Sequence, residues 1–220
     1  MSIKKSISLI LIIFISFVVC NEEKVKQPNI LFIAVDDLRT ELGCYGNTQI
    51  KRPEIDKLAS EGLRLTNFNV EAQCTPSRAA LMTGRHAIRS GNGSVPWLTG
   101  LYGLTQWEVT MAEMLADVGY ATGMFGKWHL GQTEGRFPTD QGFDEWWGIS
   151  ESSDEASYSA HRLYPNEWPV PKIHEARRGE PQRGVAAFDL ATRPLMDEGI
   201  TERTVEFIGR NAAVSTNSLS

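Results

Sequence analysis

The sequence predicts an α/β fold whose central sheet is covered by helices on both faces. The first observation is a continuous apolar, partly β-branched run over Asn29–Val35, which is typical of a strand buried on both faces. The second is that helical and strand patterns alternate along much of the chain. In such folds ligands bind beyond the carboxyl ends of the strands, and Asp36-Asp37 directly follow the first strand.

The next elements are marked by the residues that begin and end them. Proline at the first position and an apolar face predict a helix over Pro53–Ala59, which Gly62 ends. Leu63–Val70 alternates only in part, so we expect an irregular strand there. A second helix is predicted over Ser77–Met82, opening at Cys74.

The third predicted helix begins with a capping box, Thr110-Met111-Ala112-Glu113. Gly119 ends this helix, and Tyr120–Phe125 then predicts a short strand. We expect the apolar stripe of the helix to consist of Met111, Met114, Leu115 and Val118.

The C-terminal part of the chain divides into an irregular region and a final helix. Residues 138–193 are rich in Pro, Gly, Ser and charge and show little periodicity, which predicts a long insertion lining the active site rather than core. Apolar residues at helical spacing then predict a helix over Leu195–Arg210. The tryptophans either line an aromatic or sugar-binding cleft or are buried: Trp97, Trp107, Trp146, Trp147 and Trp168.

The N-terminus and the composition indicate an exported protein. Lys4-Lys5 precede a short apolar run over Ile7–Val19, so residues 1–20 are predicted to be a secretory signal. Cys20 is then either a lipid-anchored first residue or part of an uncleaved signal anchor, and we expect a periplasmic or cell-surface location. The net charge of −5 and the absence of basic clusters argue against nucleic-acid binding.

Adjacent carboxylates at the end of a buried strand suggest a cation site. Asp36 and Asp37 would repel each other in a low-dielectric site unless a cation were bound. Taken alone, the pair is more often explained as solvated loop carboxylates. Its position ahead of the cysteine motif described next favours a metal site.

Cys74-Thr75-Pro76-Ser77-Arg78, followed by Leu81–Arg85, is the most specific motif of the chain. Cys74 could be a core cysteine, half of a disulfide, or a thiol nucleophile with a histidine partner. Pro76 and Arg78 have no use in a thiol mechanism, but they fit a tag read for oxidation while the segment is extended. Arg78 can offer a rigid donor fork to oxygens at residue 74. We expect Cys44 to be a small buried residue rather than its disulfide partner.

Lys127 and His129 alternate across Gly126–Gly131. On an extended backbone their side chains share one face, which would suit a tetrahedral oxyanion, although in isolation a lysine and a histidine near glycines more often form an exposed turn. The remaining histidines are expected at the surface: His86, His161 and His174.

Together these motifs resemble the sulfatase family, a branch of the alkaline-phosphatase-like superfamily. The similarity runs from residue 28 to about 211 and rests on the following segments: Asn29–Asp37, Gly43–Gly46, Pro53–Gly62, Cys74–Arg78 and Gly126–Gly131. Thr139–Trp146 resembles the arylsulfatase branch in particular. The resemblance implies a mixed, largely parallel central sheet covered by helices on both faces.

The resemblance also implies a chemistry. A formylglycine-generating or other sulfatase-maturing enzyme would oxidise Cys74 to an aldehyde that hydrates to a diol. Asp36 and Asp37 would hold a Ca²⁺ that also contacts residue 74. One diol oxygen would attack the sulfur of an aryl or carbohydrate sulfate ester, and the second would release sulfate. Arg78 and Lys127 would stabilise the diol, and His129 would be the base.

The chain departs from the family in length. The further calcium ligands and the acid that protonates the leaving group are not found, and residues 212–220 are predicted to be an unrelated tail. We therefore expect the N-terminal part of a truncated or frame-shifted sulfatase. Two alternatives remain: a phosphodiesterase or phosphonate hydrolase of the same superfamily, and an inactive sulfatase-like remnant.

Overall fold

The computed structural model of the protein describes residues 27–38, 41–96 and 102–217. The chain divides between Glu61 and Gly62 into two units. The first contains a 3₁₀ turn over Gly43–Tyr45 and the predicted helix, α1, over Pro53–Glu61. Asp56 accepts a hydrogen bond from the backbone N–H of Cys44 at 2.6 Å, which ties the turn to α1. The predicted signal segment lies outside the described residues.

The prediction of a buried strand over Asn29–Val35 is wrong for this structure. Residues 27–35 carry no regular secondary structure, and the five large apolar side chains of this run are more than half exposed: Ile30, Leu31, Phe32, Ile33 and Val35. An apolar run becomes a buried strand only where neighbouring strands pair with it and both faces are covered. The described part of the first unit contains only the 3₁₀ turn and α1.

The irregular strand predicted over Leu63–Val70 is not formed either. These residues open the second unit as an exposed segment without strand pairing in the described chain, and Leu63 is 87% exposed. Because its apolar alternation is incomplete, this segment has no single face to bury, and no strand register is specified.

Four strands of the second unit form one mixed sheet: β1 over Gly123–Lys127, β2 over Glu145–Ile149, β3 over Lys172–Arg177 and β4 over Arg183–Ala187. Their spatial order is β1-β2-β3-β4, and β1 pairs with β2 in parallel while the other two pairings are antiparallel. With the helices described below, the sheet confirms the predicted mixed α/β architecture.

The strands pair closely at one point. Gly148 lies opposite Gly126 in the β1–β2 register, and a Cβ at residue 148 would lie 1.9 Å from the carbonyl oxygen of Gly126. Only glycine leaves room for this approach.

The region 138–193 is not an insertion outside the core, contrary to the prediction. It supplies β2, β3 and β4, as well as two 3₁₀ helices, Pro138–Asp140 and Ser153–Ala160. Its strands are short and its turns are rich in Pro, Gly and charge, which hid the periodicity. Trp146 and Phe188 from this region are among the most buried side chains of the described chain.

Each face of the sheet carries its own hydrophobic cluster. On one face Trp146 packs with residues of helices α2, over Cys74–Thr83, and α3, over Met111–Asp117: Ala79, Met82 and Ala112. On the other face Trp147 packs with residues that include Ile149, Phe188 and Met196. Trp146 and Trp147 are consecutive, so the alternation of β2 divides them between the two clusters.

The capping box of α3 is confirmed, because Thr110 and Glu113 each bond the other's backbone N–H. The predicted apolar stripe is wrong in part. Ala112 is the buried residue, Met111 is half-buried, and Met114 and Val118 are exposed. The helix spans only 7 residues, and Ala112, at its second position, is the side chain that it buries in the core.

The final helix, α4, is longer than predicted and runs over Met196–Asn217, after a 3₁₀ turn over Arg193–Leu195. Ile200 packs against the second cluster, and the ring of Phe207 lies 5.7 Å from that of Phe125 in β1. Arg203 lies over the Trp147 ring at 4.2 Å. Within the described residues no helix combines the length and apolarity that a bilayer span requires.

His174 is not the surface residue that the sequence predicted. It lies in β3, half-buried, with its ring stacked on Trp146 at a centroid distance of 5.8 Å. Burial, with a smaller contribution from Lys172, lowers the pKa of His174 to about 4. The neutral imidazole is therefore the form that fits the folded protein.

We expect His174 to make the fold sensitive to acid. Its pKa falls from 6.5 to about 4 on folding. The contribution of the neutral imidazole to the free energy of unfolding is therefore present above pH 6.5 and is lost as the pH falls toward 4. Between pH 7 and 4.5 the wild-type melting temperature should fall about 2–4 °C more than that of His174→Phe, corresponding to roughly 1 kcal/mol after solvent screening. Differential scanning calorimetry measures this, and His86→Phe at an exposed site is the control. Parallel pH curves for wild type and His174→Phe would contradict it.

Candidate functional site

Cys74 is the first residue of α2, the helix predicted from the motif. The preceding Gln73 makes no capping bond to the helix with its side chain, because its amide oxygen accepts from Val95 N instead, at 3.1 Å. Pro76 lies in the first turn, where its missing N–H breaks no helical bond. Gly84, at φ +64°, ends the helix. Cys74 therefore stands half-buried at the positive end of a helix, which favours negative charge.

Arg78 connects this helix to the sheet. It lies one turn after Cys74 on the same side of α2, since residues four apart are neighbours on a helix. Its guanidinium donates a 2.5 Å hydrogen bond to the carbonyl oxygen of Lys127, the last residue of β1. The helix that begins at Cys74 and carries Arg78 is thereby joined to the backbone at the end of β1.

The segment after β1 continues the parallel pairing beyond the strand. Trp128 N donates to Ile149 O and His129 N to Ser150 O, both at 2.9 Å. Trp128 is buried and its indole N–H bonds Arg136 O at 2.8 Å. This arrangement holds the backbone on both sides of Lys127 in place.

The prediction that Lys127 and His129 share one face of an extended strand is wrong in its geometry. His129 has a left-handed backbone conformation with φ +58°. The regular alternation of side chains along an extended strand therefore stops before this residue. Lys127 is half-buried, whereas His129 is only 3% exposed. A left-handed histidine is uncommon, and such conformations concentrate at functional sites.

Asp36 and Asp37 lie in a turn of the first unit, and both are exposed. Asp37 adopts φ +53°, which is again unusual for a residue other than glycine. Carboxylate oxygens are ligands that Ca²⁺ prefers, so the ligand chemistry of the two side chains is compatible with a calcium site. Among the described residues, however, no three His, Cys, Asp or Glu side chains are grouped as a metal site.

Two glutamates near Lys127 were missed by the sequence reasoning. Glu151 follows β2 and accepts a hydrogen bond from the hydroxyl of Tyr102, and Glu155 lies in the following 3₁₀ helix. Burial, then repulsion by Glu151 and a hydrogen bond to it, raise the pKa of Glu155 to about 8, while Lys127 acts in the opposite direction. The signal in the sequence was the acidic run Glu151–Glu155 directly after a strand, hidden by the reading of this region as an insertion.

The other candidates are placed as follows. His86 and His161 are exposed, as expected. Neither Cys44 nor Cys74 forms a disulfide, and Cys44 is half-buried rather than buried. Of the tryptophans, Trp146 and Trp147 are buried core residues and Trp107 and Trp168 are exposed, while Trp97 is outside the described residues.

Comparison with known proteins identifies the family. The Sulfatase family model matches residues 28–217. Human arylsulfatase D is 48% identical over 137 residues, which is 56% of this chain and 23% of that protein. Human arylsulfatase A is 48% identical over 147 residues, covering 64% and 29%. The crystal structure of PsFucS1 sulfatase from Pseudoalteromonas sp. matches with a TM-score of 0.67 and 30% identity over 79% of this chain and 38% of that one.

The chain belongs to the sulfatase family. It spans about a quarter of the length of these curated relatives, at 23% and 29%. The match confirms the predicted family and fold.

We expect Arg78→Ala to loosen the connection between α2 and β1. A hydrogen bond from a charged donor to a half-buried carbonyl contributes about 1.5–3 kcal/mol, and its loss should lower the free energy of unfolding by that amount. Urea unfolding followed by tryptophan fluorescence measures the change. Arg89→Ala, at an exposed position, should stay within about 0.5 kcal/mol of wild type. Equal midpoints for the two variants would show that the Arg78–Lys127 bond contributes nothing.

Proposed function

We propose that the protein is a sulfuric ester hydrolase of arylsulfatase type that uses a formylglycine made from Cys74. The observation that carries the proposal is the bond from Arg78, in the helix that begins at Cys74, to the backbone of Lys127 at the end of β1. The similarity to two human arylsulfatases supports it. The substrate would be an aryl or carbohydrate sulfate ester.

Residue 74 suits the modified side chain. When present, formylglycine supplies two hydroxyls on one carbon, one to act as nucleophile and one to allow release of sulfate. The start of α2 stabilises negative charge on oxygens at this position. Cys74 is not in a disulfide, so its sulfur is available for oxidation by a sulfatase-maturing enzyme.

Arg78 and Lys127 bind and orient the anionic sulfate group. Arg78 uses one guanidinium nitrogen on the Lys127 carbonyl, which fixes the plane of its donor fork. Lys127 provides a compact positive charge from the end of β1. His129, held by its backbone bond to Ser150 O, would accept a proton near residue 74 as the general base.

Asp36 and Asp37 would contribute two carboxylates to a Ca²⁺. Calcium would supply Lewis-acid polarisation of the sulfate group. Since Ca²⁺ takes six to eight oxygen ligands, the two carboxylates alone make a partial site.

We propose export of the protein, since residues 1–20 have the pattern of a secretory signal. The periplasm or the cell surface would be its location, with Cys20 as the candidate lipid-attachment residue. These residues lie outside the described part of the chain.

Replacement of Cys74 tests the proposed chemistry. In the chain co-expressed with a maturing enzyme, mass spectrometry of the tryptic peptide 65–78 should show conversion of the thiol to the aldehyde. Turnover of 4-nitrophenyl sulfate should exceed that of bis(4-nitrophenyl) phosphate and should fall to background in Cys74→Ala, while Cys44→Ala keeps it. Preference for the phosphate diester would favour a phosphodiesterase instead. Full conversion without any turnover would identify an inactive remnant.

Calcium should stabilise the chain through Asp36 and Asp37. A ligand present at a hundredfold excess over its Kd adds about 2.7 kcal/mol to the stability of the folded form. We expect the melting temperature to rise with added Ca²⁺, to fall with EDTA, and to respond to neither in Asp36→Asn/Asp37→Asn. Asp117→Asn, an exposed carboxylate at the end of α3, is the matched control. An unchanged calcium response in the double variant would place the calcium elsewhere.

A further inference from the structure

The connection between β2 and β3 lies at the same end of the sheet as Lys127. Ile149, the last residue of β2, is opposite Lys127 in the parallel pairing and opposite Ile173 in the antiparallel pairing. The connection, residues 150–171, therefore begins and ends at the edge of the sheet that carries the candidate site. In α/β folds this edge is where ligands bind.

Trp168 is held in an exposed position on this connection. Its indole is 60% exposed, and its backbone N–H donates to Pro165 O at 3.0 Å, which closes a turn. The ring of Tyr164 meets the indole edge to face, with centroids 5.8 Å apart and an interplanar angle of 87°. The Tyr164 hydroxyl is itself bound to Pro169 O at 2.6 Å. These contacts fix the position of the indole while leaving more than half of it exposed.

The chemistry of this turn suits a sugar ring. The C–H groups on one face of a pyranose form an apolar surface with positively polarised hydrogens, which packs on the electron-rich face of an indole. Asn166 and Glu167 lie in the same turn and are exposed. Their side-chain oxygens are acceptors for hydroxyl groups. An aryl ring would also stack on Trp168, but it offers no hydroxyls to these two neighbours, so a sugar fits the turn better.

The indole is also close to the candidate site. Trp168 precedes Lys172, the first residue of β3, by four positions, so their Cα atoms are at most about 14 Å apart. The strand β2 lies between β1 and β3, which places the ends of β1 and β3 about 10 Å apart. Neighbouring rings of one carbohydrate chain therefore have the length to contact both the end of β1 and Trp168.

We propose that Trp168 stacks on a sugar ring of the substrate, and that the substrate is a carbohydrate sulfate rather than an aryl sulfate. Tyr164 is the positioning residue that holds the indole in place. The inference rests on the proposed function, since it names the substrate class for the same site. The stacked ring lies away from the sulfate group, so this contact adds affinity for the substrate and takes no part in the chemical step.

A binding measurement without turnover tests the indole directly. In the full chain labelled with 5-fluorotryptophan, the ¹⁹F signal that is missing in Trp168→Phe should shift when sulfated disaccharides prepared from heparin or chondroitin sulfate are added. Inorganic sulfate alone should not shift it. By isothermal titration calorimetry, Trp168→Ala should bind the same disaccharides about tenfold more weakly, as expected for the loss of one stacked ring. Trp107→Ala, which removes another exposed indole, is the matched control and should bind as wild type does.

The positioning role of Tyr164 has its own test. Tyr164→Phe keeps the ring that meets Trp168 but loses the hydrogen bond to Pro169 O, so disaccharide binding should weaken about threefold. Affinity equal to wild type would show that this bond does not position the indole.

Kinetics with two substrates separates sugar from aryl binding. For a sulfated disaccharide, Trp168→Ala should raise KM about tenfold with kcat unchanged, while kcat/KM for 4-nitrophenyl sulfate stays within about twofold of wild type. An equal loss for both substrates would show that the indole binds the aryl ring, and the assignment to carbohydrate would be wrong.

The possible results distinguish this inference from the proposed function. If none of the disaccharides binds, or if Trp168→Ala binds them as tightly as wild type, sugar stacking on Trp168 is refuted whether or not sulfate esters are hydrolysed. If the ¹⁹F shift and the weaker binding are observed but no sulfate ester is turned over, the proposed function fails while the sugar site stands.

Discussion

The parallel pairing of β1 with β2 is the interaction on which the candidate site in the second unit depends. Gly126 and Gly148 allow the strands to approach, and the pairing continues through Trp128 and His129. The candidate site residues Lys127 and His129 lie at the end of β1 and directly after it. A shift of register between them would break the bond from His129 N to Ser150 O and would move Lys127 relative to the residues that follow β2.

The second constraint is the bond from Arg78 to the Lys127 carbonyl, since it joins the helix that begins at Cys74 to the sheet. An arginine that is already bound on one side loses less freedom when it orients an anion on the other. The same residue therefore serves the packing of α2 and the proposed binding of sulfate. The site is preorganised by backbone contacts more than by side-chain pairs.

The parts of the fold that could be predicted were those with strong local signals. The motif at Cys74 predicted α2, and the capping box at Thr110 predicted the start of α3. The sequence pattern mispredicted burial where tertiary contacts determine it. Asn29–Val35 is apolar, yet its large side chains are exposed. Trp146 and Trp147 are buried, although they lie in a region whose sequence shows little periodicity. At the candidate site, Arg78 and Lys127 were predicted from their motifs, and a hydrogen bond joins the two segments that carry them. Glu155 was missed because its proton depends on burial and on Glu151, neither of which is visible in a sequence.

The dipeptide Trp146-Trp147 links the two hydrophobic clusters through a single short strand. One indole is buried against α2 and α3, and the other against α4. Neither cluster can therefore lose its packing while the other keeps an intact β2. The second unit should melt as one cooperative body, and a local opening at α4 would be transmitted through β2 to the helix that carries Cys74.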